Sequence, residues 1–439
     1  MSWLGILAII GGFVAVNVFF AVLTMFKFVG SDPREGASRE EVLDLTGRIL
    51  LTMAIGGGGA MAVVTAVVLW LGGLEAVIIA GGVLALFAFL SVAVLAITYL
   101  ERKVLGRVQQ RLGPMRVGPW GLLQPIADAI KLVTKEDITP SWVDRGVYWL
   151  APVAFFIPTF LIWLVIPFAG GWVVRDLDMG LLYIIAFSVL AIAGLFMAGW
   201  GSANKYGFLG SLRAIAQLIS YEIPIIVVAL TVAMVAGSLS LSEIVAAQGS
   251  VPYIALQPLG FFLFMLGGLA EIGRTPFDIY HAESEVMGGP FVEYSGAHWA
   301  IFYLAEYVNT FLVGVLVTLL FLSGWVGPWL PGVLWFFIKV FAVITVIFWF
   351  RGTFPRLRID QLMGLGWKVL IPLSFVNFVL TAFAVFYGWP GWTMTLMGVA
   401  QLGVFGWLVN SRILGTGRRP EVRMIPAREL RTSEQAGAS

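Results

Sequence analysis

The chain has 439 residues, 59% of them hydrophobic and 12% charged, and a net charge of +2. Soluble domains carry about a quarter charged residues, so most of this surface meets lipid, and so small a net charge makes no case for nucleic acid. Cysteine is absent, which excludes disulfides, thiolate nucleophiles, Cys-ligated zinc and iron–sulfur clusters held by this chain.

Crossing the hydrocarbon core takes about twenty apolar residues. Eleven such stretches are predicted, at 3–28, 50–74, 77–100, 147–170, 180–200, 223–240, 254–270, 299–323, 333–350, 368–388 and 393–411. The first is too long for a signal-peptide core and has no basic leader or small-residue cleavage site, so it is read as a retained span. The expected fold class is all-α, a polytopic transmembrane helical bundle. Threading the spans alternately collects all but Arg175 and Lys339 of the 27 Lys and Arg residues on one side. The positive-inside rule makes that side cytoplasmic, with the N-terminus outside and the C-terminus inside.

Three cytoplasmic stretches stand out. Loop 101–145 carries eight basic residues, and within 120–133 Leu122, Leu123, Ile126, Ala129, Ile130 and Val133 recur at helical spacing opposite Asp128 and Lys131. That pattern fits a helix lying in the membrane interface or one packed on the protein's own spans. Loop 271–298 holds Glu271, Asp278, Glu283, Glu285 and Glu293 against the single Arg274, an anomaly on a basic side. The tail after Arg412 is basic, with Gly and Pro and little apolar content, as expected of a segment along anionic headgroups or a partner.

No phosphate-binding loop, serine elbow or HExxH zinc motif is present, and both histidines, His281 and His298, lie in the acidic loop. His281, Glu283 and Glu285 make a poor ligand set, and no metal site is expected. The informative residues are acids at or inside spans: Glu222 opening one, Glu271 ending another and Glu306 within a third. A charged carboxylate at mid-span costs about 2.5–3.5 kcal/mol, so such residues are paired, wetted or protonated. Burial raises a carboxyl pKa, a cation lowers it, and neighbouring acids titrate as a set. Glu222, Glu271, Glu283, Glu285, Glu293 and Glu306 therefore have the composition of a proton path. The plain alternative sets Glu222 and Glu306 at the water boundary and leaves the loop acids solvated. Among the cations, Arg102, Arg274 and Arg351 each follow a span directly, beside an acidic or aromatic neighbour.

Five segments then carry a family likeness: ERKVLGRVQQRLGPMRVGPWGLLQPIADAIKLVTKED, GSLRAIAQLISYEIP, AEIGRTPFDIYHAESE, VEYSGAHWAIFYLAEY and RGTFPRLRIDQLM. In this order they resemble the quinone-chamber membrane subunit of respiratory complex I, the H-subunit of bacteria and the first subunit of the mitochondrial series, over roughly residues 77–388. The resemblance implies an eight-helix core at 77–388; the two predicted helices of an N-terminal extension over 1–76, the helix over 389–412 and the basic tail over 413–439 are then additions that the resemblance does not cover. It implies a multi-pass protein of the bacterial cytoplasmic membrane. Its quinone substrate would enter a chamber shared with peripheral subunits, and electrons would come from an iron–sulfur cluster on a neighbouring subunit. Small and antiporter-like membrane subunits would adjoin it.

By that likeness Arg102, Asp128, Arg274, Asp278 and Arg351 frame the chamber, while Glu222, Glu271, Glu283, Glu285, Glu293 and Glu306 form the path. The chain would act in a translocase without catalysing alone. Three departures from the family pattern are visible: Met115 for Asn, Ile272 and Gly273 for Thr and Asn, and His281 for a common Glu. The first two are expected to alter chamber contacts, and the third to remove a negative charge and add a group titrating near neutrality. A membrane-bound hydrogenase anchor is the alternative within the superfamily. A stand-alone transporter would carry inverted repeats, and no internal repeat is detectable.

Overall fold

A computed structural model describes residues 81–249, 251–279 and 283–409. The predicted spans 3–28 and 50–74, the basic tail, His281 and the side chain of Glu283 lie outside the described residues. The remaining nine predicted spans all fall on helices. Eight described helices are long and apolar enough to cross a membrane: α1 (Gly81–Val108), α3 (Arg145–Val165), α4 (Gly180–Gly201), α5 (Lys205–Ala236), α10 (Gly296–Phe321), α11 (Gly332–Thr353), α12 (Ile359–Phe386) and α13 (Gly391–Val409). Between them run the short helices α2 (Gln124–Thr134), α6 (Leu241–Ala247), α7 (Tyr253–Leu256), α8 (Pro258–Glu271) and α9 (Glu283–Val286). The fold is all-α, a polytopic membrane bundle.

Two boundaries differ from the sequence reading in ways that matter. The helix expected at 223–240 begins eighteen residues earlier, at Lys205, because polar donors that lower its hydropathy find acceptors inside the protein. Gln217 Nε2 donates to the carbonyls of Ala270 (2.7 Å) and Phe277 (2.9 Å), and Tyr221 Oη donates to Leu362 O at 2.9 Å. The Asn204 side chain accepts from Tyr206 N at the start and Gly237 closes the end in the left-handed region. Glu222 therefore lies mid-helix instead of opening a span. The span expected at 254–270 is broken: α7 ends at Leu256, the next residue Gln257 leaves the helix with φ −132° and ψ 66°, and Pro258 starts α8.

Helices in lipid gain little from apolar burial against one another, so packing and hydrogen bonds set their arrangement. α10 is the axis: 83% of its apolar window is buried, against 11% for α13. α5 packs on α4, α8 and α12, and α3 on α4 and α10. Lys339, the one predicted in-span cation, donates from Nζ to the carbonyls of Leu322 (2.7 Å), Gly324 (3.0 Å) and Val326 (2.7 Å) just past the end of α10. A cation there meets the negative end of a helix dipole and carbonyls without intrahelical partners.

The helix predicted at 120–133 is α2, preceded by a 3-10 turn at Pro119–Gly121. It packs on α10 along one edge, while Leu122, Leu123, Ile126 and Ile130 remain exposed in this chain. That outward apolar face is the geometry of an interfacial helix.

Candidate functional site

The loop after α8, the segment leading into α10, the first turns of α10 and the end of α11 surround an open cavity of about 700 Å³. Its charged lining is Arg274, Asp278, Glu306, Arg351 and Arg356, and its aromatic lining includes Trp299, Phe302 and Tyr303. Helical spacing on α10 makes the aromatic wall: Trp299 stacks on Tyr303 with centroids 5.1 Å apart, and Tyr303 lies 4.6 Å from Tyr307. The Arg274 guanidinium sits 4.7 Å over the Tyr307 ring, a cation–π contact that holds the charge beside an apolar wall. Arg356 Nη2 pairs with Asp278 Oδ2 at 3.0 Å.

Arg351 forms an ion pair with Glu101, which is 4% exposed, and Tyr307 Oη donates to the same carboxylate at 2.6 Å. Glu101 was missed by the sequence reading although a signal existed. It continues the buried stripe of Leu90, Val94 and Ile97 at spacings of three and four on α1. An acid on the inward stripe of a span needs a partner, and Arg351 is that partner.

A second, small cavity of about 40 Å³ lies deeper, lined by Glu222, Glu271, Glu306, Ser188, Asn309 and apolar side chains. It has room for ordered water and polar groups to hold it. Ser188 Oγ donates to Glu222 Oε1 at 2.9 Å. A further cavity on the apolar side shares Glu222, Glu271, Ser188 and Asn309. Glu306 lines both the open cavity and the deeper one, so one carboxylate joins the two.

Five of the six predicted acids have described side chains, and these divide. Glu222, Glu271 and Glu306 meet around one cavity. Glu285 instead pairs with Arg213 at 2.7 Å with its side chain 49% exposed, and Glu293 Oε1 accepts from Asn204 Nδ2 at the start of α5. Tyr148 and Tyr294 stack beside Glu293 with centroids 4.2 Å apart, and Tyr148 Oη donates to Glu293 O at 3.0 Å. Burial, then the neighbouring Tyr148, pushes the Tyr294 phenol well above its ordinary value.

The five predicted chamber residues divide as well. Arg274, Asp278 and Arg351 line the open cavity, whereas Arg102 and Asp128 are not among its lining residues. They pair with each other and tie α2 to α1, with Lys131 and Gln124 completing the Asp128 environment. Of the sequence departures, Gly273 lines the open cavity and Ile272 the deeper one. Met115 lies elsewhere, its sulfur accepting from Lys103 Nζ.

The acidic loop is seated by close backbone contact. A Cβ on Gly210 of α5 would come within 2.4 Å of Gly289 Cα, so only glycine at 210 lets the loop approach the helix so closely.

Fold and site together define a multi-pass helical membrane protein with an aromatic and charged chamber leading to half-buried carboxylates inside the bundle. A family model described as NADH dehydrogenase matches residues 81–382. The NADH-quinone oxidoreductase H-subunit of Dehalococcoides mccartyi strain CBDB1 is 52% identical over 336 residues, covering 76% of this chain and 95% of that protein. The proteins of that name from Geobacillus kaustophilus strain HTA426 and Paramagnetospirillum magneticum strain ATCC 700264 / AMB-1 are 52% and 46% identical, covering 67% and 73% of this chain and 89% and 91% of their own lengths. The chain belongs to this H-subunit family, the membrane subunits of complex I.

Proposed function

We propose that the open cavity is this chain's share of a quinone chamber completed by peripheral subunits, and that Glu306, Glu271 and Glu222 carry the effect of quinone reduction to neighbouring proton-translocating subunits. The observation that carries this reading is the position of Glu306, which lines both the chamber and the carboxylate cavity. An aromatic wall accepts a flat apolar ring, and Arg274, Arg351 and Arg356 at the margin answer to charge in the chamber.

The chain has no cysteine, so the iron–sulfur donor belongs to a peripheral neighbour. Reduction creates charge or proton demand in the chamber. Glu306, facing both cavities, exchanges protons with Glu271 and Glu222 through ordered water, and adjacent small and antiporter-like subunits respond to the shared protonation. This chain binds, orients and relays; it transfers no electrons and is not catalytic alone. The exposed apolar face of α2, braced by Arg102–Asp128, frames the quinone entrance at the bilayer surface. The membrane is the bacterial cytoplasmic one, with the N-terminus outside, the C-terminal tail inside and the complex acting as a translocase.

The test replaces Glu271 and Glu306 separately by Gln in the assembled complex. Quinone-linked turnover is expected to fall by at least about tenfold in each, a floor below the roughly 10²–10⁴-fold typical of a lost proton-transfer group, together with proton pumping. Unchanged quinone reduction and pumping in both variants refutes the assignment.

A further inference from the structure

One polar cluster in the bundle plays no part in that path. Gln257 at the α7–α8 break, Asn377 on α12 and Gln401 on α13 are 3%, 4% and 7% exposed. With Thr381 and Ala384 they line a cavity of about 10 Å³. Both ends of the Gln257 carboxamide, Asn377 Nδ2 and Gln401 Oε1 are buried with no hydrogen-bond partner among the described residues. Gln401 lies about 15 Å along α13 from its first residue, Gly391, near the helix's mid-height. Lipid supplies no hydrogen bonds at that depth, so amides placed there need an internal partner.

The backbone makes the same demand. Gln257 is the non-helical residue between α7 and α8, and irregular backbone at membrane depth is tolerated only where protein covers it or water wets it. α13 supplies the cover by packing on α7, α8 and α12. It comes close at Gly398, where a Cβ would come within 2.6 Å of Pro258 Cδ. The residues matched by the family model end at 382, before α13 begins.

A cavity of this size holds one water, and a buried water takes two to four polar partners. Three carboxamides from three different helical segments supply them. We propose that α13 closes over the α7–α8 break and that Gln257, Asn377 and Gln401 together bind a single ordered water. This hydrated clasp fixes α13 to the rest of the bundle.

Ala384 is fully buried on the cavity wall, and the chain has no cysteine of its own, so A384C gives a single reporter thiol. In the assembled complex, its labelling by a membrane-permeant maleimide, read on this chain by mass, measures how often α13 opens. Adding Gln401→Leu is expected to raise the labelling rate about tenfold, because the remaining amides lose a bridge. Replacing all three amides by Leu together is expected to return the rate close to that of A384C alone, since no buried polar atom is then left unsatisfied. An unchanged rate in the single variant, or a triple variant as reactive as the single, overturns the clasp. A cryo-EM map of the unaltered complex should show density within hydrogen-bonding distance of at least two of the amides; direct carboxamide-to-carboxamide contact with no density between them overturns the water site independently of any variant's folding.

Discussion

α8 joins two polar clusters, one at each end, and their chemistry differs. At its start Gln257 meets Asn377 and Gln401, all neutral amides. At its end, about 20 Å away, Glu271 meets Glu222 and Glu306. Amides satisfy hydrogen bonds at any pH but exchange no protons, so they suit a joint between helices. Carboxylates cost more to bury and respond to nearby charge, which suits a relay. Polarity inside this bundle thus comes in two kinds, and titratability separates them.

Removing titratability without changing shape tests that contrast most directly. Glu271→Gln and Glu306→Gln turn the acidic end into an amide end like that around Gln257. If the contrast is functional, turnover falls by at least about tenfold while the complex assembles normally, as measured by quinone reduction and subunit stoichiometry. The same isosteric logic at Glu101 predicts a different failure. Glu101→Gln leaves the Arg351 guanidinium without its buried counter-charge, and the loss of stability is expected at about 3 kcal/mol, the lower end for a broken buried pair, because the Arg351 side chain is 28% exposed. Thermal release of this chain from the complex measures it, and a midpoint equal to the parent's would show that Tyr307 alone suffices for Glu101.

Lys339 extends the contrast to the opposite face. Its charge is matched not by an acid but by three carbonyls after α10. Lys339→Met is expected to cost about 1–2 kcal/mol through lost donors and dipole contact, with quinone reduction retained. Full activity with full thermal stability would remove its capping role.

Much of this was legible in the residues. Hydropathy located every described span, and the motifs holding Arg274, Glu306 and Arg351 supply residues that line the open cavity. What stayed hidden depended on partners distant in sequence. Glu101 read as a loop residue because Arg351 is 250 positions away. The first half of α5 read as polar because Gln217 finds its carbonyls on α8 and the following loop. The six acids read as one set, since sequence order carries Glu285 and Glu293 close to Glu271 but says nothing of Arg213 and Asn204, which draw them onto α5 and away from the cavity.

Glu285 gives the finest test, because family likeness and geometry weigh it differently. Its pair with Arg213 is half exposed, and exposed pairs contribute below about 1 kcal/mol. Nor does Glu285 line the carboxylate cavity. Glu285→Gln is therefore expected to change turnover by less than about twofold, an effect that added salt should mimic by screening the pair. A loss as large as that of Glu271→Gln would mean that the relay runs through the acidic loop itself, with the cavity of Glu222, Glu271 and Glu306 only its inner end.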